Sequence, residues 1–192
     1  MCVAVVTKPG KSLTDDMIEK GWNVNSDGGG FAYIKDGLVR IHKGLMDLDK
    51  FKSAYHNAVD DVGKDSPFLI HFRIRTSGMV DQANTHPFRI NPQKGPGGAV
   101  IHNGVLFYPD YREAGNRGKS DTRILCESLN NVLALEDLQK SKTDLNRALS
   151  GNKMAFLYDT GDYVIINEES GFWNDDMWFS NGSCGTYRRG SR

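Results

Sequence analysis

Apolar positions along the chain fall into strand-like and helix-like periods that predict most of its elements. Cys2–Thr7 (CVAVVT) is a short valine-rich run and predicts a buried strand. Lys8-Pro9-Gly10 ends it. Ser12 or Thr14 can cap a short helix over Asp15–Lys20, with acids in its first turn. Asn23–Gly30 (NVNSDGGG) predicts a turn or glycine loop. Phe31–Lys35 and Leu38–Lys43 predict strands joined at Asp36-Gly37, a two-residue hairpin signal. From Asp47 to Val59, the residues Leu48, Phe51, Tyr55 and Val59 share one helical face.

Phe68–Arg75 (FLIHFRIR) predicts a strand with a basic second half, followed by an irregular loop over Thr76–His86. Ala99–His102 predicts a buried strand running into Asn103-Gly104. A polar loop is expected at Tyr108–Gly118, then helices at Asp121–Leu133 and Leu135–Leu149. Lys153–Asp159 and Tyr163–Asn167 predict a hairpin around Thr160-Gly161, and Met177–Ser180 a last strand. Strands in hairpins with paired helices between them indicate an α+β fold with antiparallel sheets, not a βαβ repeat. With no internal repeat or boundary, one domain is expected over 1–192, its end (187–192) a flexible basic tail.

Composition narrows the function classes. Lys+Arg and Asp+Glu balance at 24 each, so neither a nucleic-acid nor a membrane partner is expected. Cys2, Cys126 and Cys184 are odd in number and lack CxxC spacing, which argues for a reducing compartment and against disulfides or zinc. No secretory leader pattern and no apolar run of ~18–20 residues is seen, so a cytoplasmic location is expected.

Several motifs reduce to bland readings. Gly28-Gly29-Gly30 lacks the spacing of a dinucleotide loop, and Gly118-Lys119-Ser120 has Glu113 where a phosphate loop needs glycine. His71, His86 and His102 have no metal-ligand spacing, so neither cofactor nor metal is expected. Asn181-Gly182-Ser183 fits a glycosylation sequon, idle in a cytoplasmic protein.

Four stretches carry chemistry. If Met1 is removed, Cys2 joins a thiol nucleophile to a free α-amine that can act as its base. In His71–Gly78, strand alternation would set Arg73 and Arg75 on one face beside His71, where a guanidinium pair could clamp a carboxylate. Asn103-Gly104 offers an amide and a backbone N–H, the donors of an oxyanion hole. Ser120-Asp121-Thr122 sets an acid at a helix N-terminus, which capping alone explains.

In this order the motifs resemble the class II glutamine amidotransferases of the N-terminal-nucleophile hydrolase superfamily, most closely their stand-alone members. The matching pieces are Met1-Cys2, Asp27-Gly28 with Gly30-Phe31-Ala32, His71 to Gly78, Asn84-Thr85-His86-Pro87-Phe88, His102-Asn103-Gly104 and Ser120-Asp121-Thr122. The resemblance implies a four-layer αββα sandwich of two antiparallel sheets. It implies that Cys2 attacks the side-chain amide of L-glutamine and forms a thioester, with its α-amine moving the proton. It implies that Asn103 and the Gly104 N–H hold the oxyanion, Arg73 the α-carboxylate and Asp121 the α-ammonium, with Thr76, Ser77 and Gly78 lining the pocket. The released ammonia would go to water or to an acceptor on a partner protein. The chain departs from the family at Val24, where many members carry arginine, and at Gly29, where stand-alone relatives often carry tryptophan. It departs again at Arg75, where some synthase-linked members have a small residue. The departures motivate one alternative, a weakly active or inactive binding and regulatory module; a second, an amide hydrolase of the superfamily with another substrate, is disfavoured by the Arg73/Asp121 pair.

Overall fold

Strand β1 (Val3–Thr7) is buried along its whole length inside a six-stranded antiparallel sheet. The computed structural model describes residues 1–63, 65–106, 114–129 and 131–185. Strand β1 pairs on one side with β4 (Phe68–Phe72) and on the other with β10 (Met177–Phe179). Beyond β4 lie β2 (Gly29–Lys35) and β3 (Leu38–Leu45), and β9 (Phe172–Asn174) forms the edge past β10. The hairpin β2–β3 turns at Asp36-Gly37, both at positive φ (54° and 69°), as the sequence predicts.

Side chains of a strand alternate between faces. Val3 and Val5 therefore point to one layer, and Ala4 and Val6 to the other. On the first side, helices α1 (Asp15–Val24) and α2 (Leu48–Val62) cover the sheet. Thr14 Oγ1 accepts the Met17 N–H and Asp47 Oδ1 the Lys50 N–H, so both helices start on side-chain caps. Ile18 and Trp22 from α1 and Phe51 and Tyr55 from α2 pack on Phe31, Phe72 and Phe179. Each such fully buried large side chain is worth about 1.5–3 kcal/mol.

The second sheet has the order β5 (Phe88–Ile90), β6 (Gly98–Asn103), β7 (Lys153–Tyr158), β8 (Tyr163–Ile166). Its inner face meets the first sheet through Ala99, Ile101, Ala155 and Leu157 against Ala4, Ala32, Leu69 and Trp178. Alanines on both faces leave little side chain to hold the sheets apart. The outer face, with Val100, Met154 and Phe156, is covered by α3 (Asp121–Leu129), α4 (Leu135–Lys140) and α5 (Lys142–Ala148). The result is the expected αββα sandwich.

Several boundaries differ from expectation. The glycine stretch is not all loop: α1 runs on to Val24, and β2 starts at Gly29. Strand β4 stops at Phe72 instead of running to Arg75. The helix expected over Leu135–Leu149 breaks at Ser141 (φ −95°, ψ 6°), where Lys140–Thr143 offers no apolar residue to pack. Helix α3 ends at Leu129, short of Leu133. Strands β5 and β9 are additional. Most of the expected loop Tyr108–Gly118 and the expected basic tail lie outside the described residues; Ala114–Asn116 forms a 3-10 turn.

Candidate functional site

Alternation also sets the site. Cys2 lies two residues before Ala4 and so shares the parity that faces the second sheet. Asn103 closes β6 with the parity of Ala99 and Ile101, facing the first sheet. Ser180 Oγ links the two strands, and Gly104, next to Asn103, shares a pocket with Cys2; Asn103 itself does not line that pocket.

The Cys2 thiol donates to the Ile74 carbonyl at 3.2 Å and accepts the Ile74 N–H at 3.4 Å. Burial pushes its pKa up, and the Ile74 contact opposes that rise. The Cys2 carbonyl accepts from Asn181 Nδ2 at 2.7 Å. Cys2 lines one small pocket together with Arg73, Thr76, Ser77, Gly104 and Asp121. Its volume is about 10 Å³, room for about one water molecule.

Arg73 leaves β4 with its backbone still paired: its N–H donates to the Gly28 carbonyl at 2.8 Å, and its carbonyl accepts the Asp27 N–H at 2.9 Å. Its guanidinium is buried, donating to the carbonyls of Met79 and Ser77 at 2.9 Å each. Two of its five N–H donors are so engaged. Arg75 does not join it. Because the strand ends at Phe72, alternation no longer governs Arg75; its side chain is exposed and its N–H donates to Asp27 Oδ2. The expected guanidinium pair is therefore a single arginine.

Asp121 begins α3 and is buried, 4 % exposed. Its Oδ1 accepts from Ser77 Oγ at 3.1 Å and from the Thr122 N–H at 2.8 Å, and its Oδ2 accepts the Leu106 N–H at 2.8 Å. These donors are neutral, and among the described residues Asp121 makes no ion pair. Gly78 lies behind the pocket wall: a Cβ there would sit 2.6 Å from the Ser120 nitrogen. Gly104 is as tightly held, since a Cβ would sit 2.8 Å from His102 Nε2. Asn103 Nδ2 donates to Ser180 Oγ at 2.8 Å, and Ser180 Oγ also accepts the Ala4 N–H at 2.9 Å. Asn103 Oδ1 is buried without a partner.

The departures are placed as well. Val24 is exposed at the end of α1, away from the pocket lining. A Cβ on Gly29 would lie 2.9 Å from the His71 carbonyl and 3.1 Å from Phe51, so no tryptophan fits this backbone.

Sequence reasoning missed Ser180 and the buried histidines. His71 Nε2 donates to the His102 carbonyl at 2.9 Å, and its ring centroid lies 4.0 Å from that of His86 with the planes tilted by 38°. His102 bridges Thr122 Oγ1 (2.8 Å) and Asn152 Oδ1 (3.0 Å). Asn152 can only accept through Oδ1, so Nε2 carries the proton and Nδ1 accepts from Thr122. The histidines fall inside the matching motifs and Ser180 closes the expected last strand, but nothing in their spacing signals a role for them. Among the described residues no group of three or more His, Cys, Asp or Glu is arranged to hold a metal ion.

This layer order of two antiparallel sheets between helices is shared with solved structures. One solved structure that shares it is glutamine phosphoribosylpyrophosphate amidotransferase from B. subtilis, complexed with ADP and GMP. The match covers 96 % of this chain with a TM-score of 0.63 and 18 % identity, so the likeness is one of fold. The chain spans 42 % of that protein's length. No protein-family model matches the sequence, and no curated protein matches it either.

Proposed function

We propose that the site hydrolyses the side-chain amide of L-glutamine, with Cys2 as the N-terminal residue. One observation carries this reading: Cys2, Arg73, Gly104 and Asp121, at the ends of four separate elements, line a single small pocket. Its chemistry suits a zwitterion. Asp121 is a buried carboxylate satisfied only by neutral donors, so an ammonium is the partner it lacks. Arg73 keeps three N–H donors for a carboxylate. Glutamine would enter by displacing the Ser77 and Met79 carbonyls from Arg73, because the closed pocket holds about 10 Å³.

The Cys2 α-amine takes the thiol proton as sulfur attacks the amide carbon. The oxyanion is held by the Gly104 N–H and the Asn103 amide. The C–N bond then breaks, the α-amine returns the proton to nitrogen, and ammonia departs. Water cleaves the thioester to glutamate and restores the thiol. The ammonia passes to water or to an acceptor carried by a partner protein.

The test uses protein whose intact mass shows Cys2 at the N-terminus. Glutamate release from glutamine and covalent labelling of Cys2 by a glutamine-like electrophile are expected, and both vanish in Cys2→Ala. Glutamine bound without turnover or labelling would instead indicate a binding module.

A further inference from the structure

We infer that this site takes, beyond glutamine itself, γ-glutamyl amides whose nitrogen carries an apolar substituent. The inference rests on the proposed function and extends its substrate class. A cavity of about 680 Å³ lies between the outer face of the second sheet and its helices. Leu125, Leu145, Leu149, Met154 and Phe156 line it. An apolar cavity of this size lowers the stability of a fold that keeps it, because its walls lose packing contacts. It is also within the range of small-molecule sites.

Two further lining residues tie the cavity to the reacting atoms. Gly104, whose N–H faces the developing oxyanion in the proposed reaction, lines both the cavity and the small polar pocket. Met1, bonded to the Cys2 nitrogen and 73 % exposed, lies at the cavity and not in the polar pocket. Arg73, Ser77 and Asp121 line only the polar pocket. The α-carboxylate and α-ammonium of the substrate thus lie on one side of the scissile amide, and the cavity on the other. The Cys2 α-amine must reach the leaving nitrogen to protonate it. A substituent on that nitrogen then points into the space that removal of Met1 vacates, among leucines.

The balance is that of the glutamine reaction: the amide C–N bond breaks as the C–S bond forms. The thiol proton passes through the α-amine to the departing primary amine, and water hydrolyses the thioester. An alkyl or aryl group leaving into this apolar cavity is removed from water, which favours the larger substituents.

The experiment compares glutamine with γ-glutamyl methylamide, n-butylamide and anilide, following glutamate release by protein with Cys2 as its verified N-terminus. kcat/KM is expected to rise along the series, reaching at least about tenfold over glutamine for butylamide or anilide. Filling the cavity with Leu145→Trp should erase that preference and leave glutamine turnover, which also reports folding, within about twofold. Leu149→Phe gives the same reading should the first variant fail to fold. If glutamine is cleaved and the substituted amides are cleaved no faster, or if neither variant alters the preference, the inference is overturned and the glutaminase reading stands. If no substrate yields glutamate and Cys2 resists the electrophile, the underlying reading fails and this one with it.

Discussion

Asn103 has a side-chain amide with two faces, and only one serves an oxyanion. Its Nδ2 donates to Ser180 Oγ while its Oδ1 is buried without a partner, an arrangement that costs about 1–3 kcal/mol. A half-turn of the amide satisfies Oδ1 and passes the unmet position to Nδ2, where an oxyanion would fill it. Ser180 then donates its hydroxyl proton to Oδ1, still accepting the Ala4 N–H, and Nδ2 becomes a free donor. Ser180 is therefore expected to be the positioning residue that fixes the Asn103 amide. Asn103→Ala should lower kcat for glutamate release by ~10²–10³ with KM little changed. Ser180→Ala should give a smaller loss with the same signature, and Ser180→Thr should restore part of it. Equal losses in kcat and in thermal stability for Ser180→Ala would assign it a merely structural role. Cys2, Arg73, Gly104 and Asp121 were legible because each sits in a short motif and the motifs come in a recognisable order. Ser180 was not, since its importance arises only where β1 and β6, from different sheets, converge on it.

Among the elements, the continuous apolar runs were readable as strands, the three-residue β10 with its Met-Trp-Phe included, and the two short strands without such a run were not. Strands β5 and β9 have three residues each, too few to display a period of two. The end of β4 matters more. Reading FLIHFRIR as one strand places Arg73 and Arg75 alike, and stopping it at Phe72 buries the first and exposes the second. The loop leaving β4 is tied to α3. Arg73 grips its Ser77 and Met79 carbonyls, Met79 N–H donates to the Gly118 carbonyl, and Gly78 (φ 69°) leaves no room for a Cβ beside the Ser120 nitrogen. Alanine at position 78 would meet both a left-handed backbone, about 1–2 kcal/mol, and that close approach. Gly78→Ala should move Ser77 off Asp121 and raise KM for glutamine by about tenfold, the equivalent of ~1.4 kcal/mol. Isothermal titration of glutamine into the Cys2→Ala protein checks this separately from chemistry; an unchanged affinity would mean that the loop does not shape the pocket.

At the scale of the whole molecule, the sandwich encloses titratable groups where its two sheets and α3 meet. Burial pushes the His71 pKa down to about 3 and the His86 pKa well below the ordinary range, and it lowers that of His102. In the unfolded chain each would titrate near ~6.5. Below that value the unfolded state takes up protons that the folded state refuses, so folding stability falls as pH falls. The loss continues down to the folded pKa, and each histidine contributes about 1.4 kcal/mol per pH unit within the window. Ordinary carboxylates are half-protonated near pH ~4.3, which leaves roughly pH 5.3–6.5 as the interval where histidines dominate. Urea unfolding across it should give stabilities that decline steeply toward the acid end and level off above pH ~7. His86 isolates the cause, because neither of its ring nitrogens has a hydrogen-bond partner among the described residues, and it packs edge-on against Phe88. His86→Phe removes one proton-binding group and a pair of unsatisfied polar atoms. It is expected to be as stable as the parent near neutral pH, and its stability should fall by about 1.4 kcal/mol less per pH unit. Identical slopes in the two proteins would show that acid acts elsewhere. Since His86 and His102 also line the pocket that holds Cys2, the acid limit of the fold and that of the site are expected to coincide.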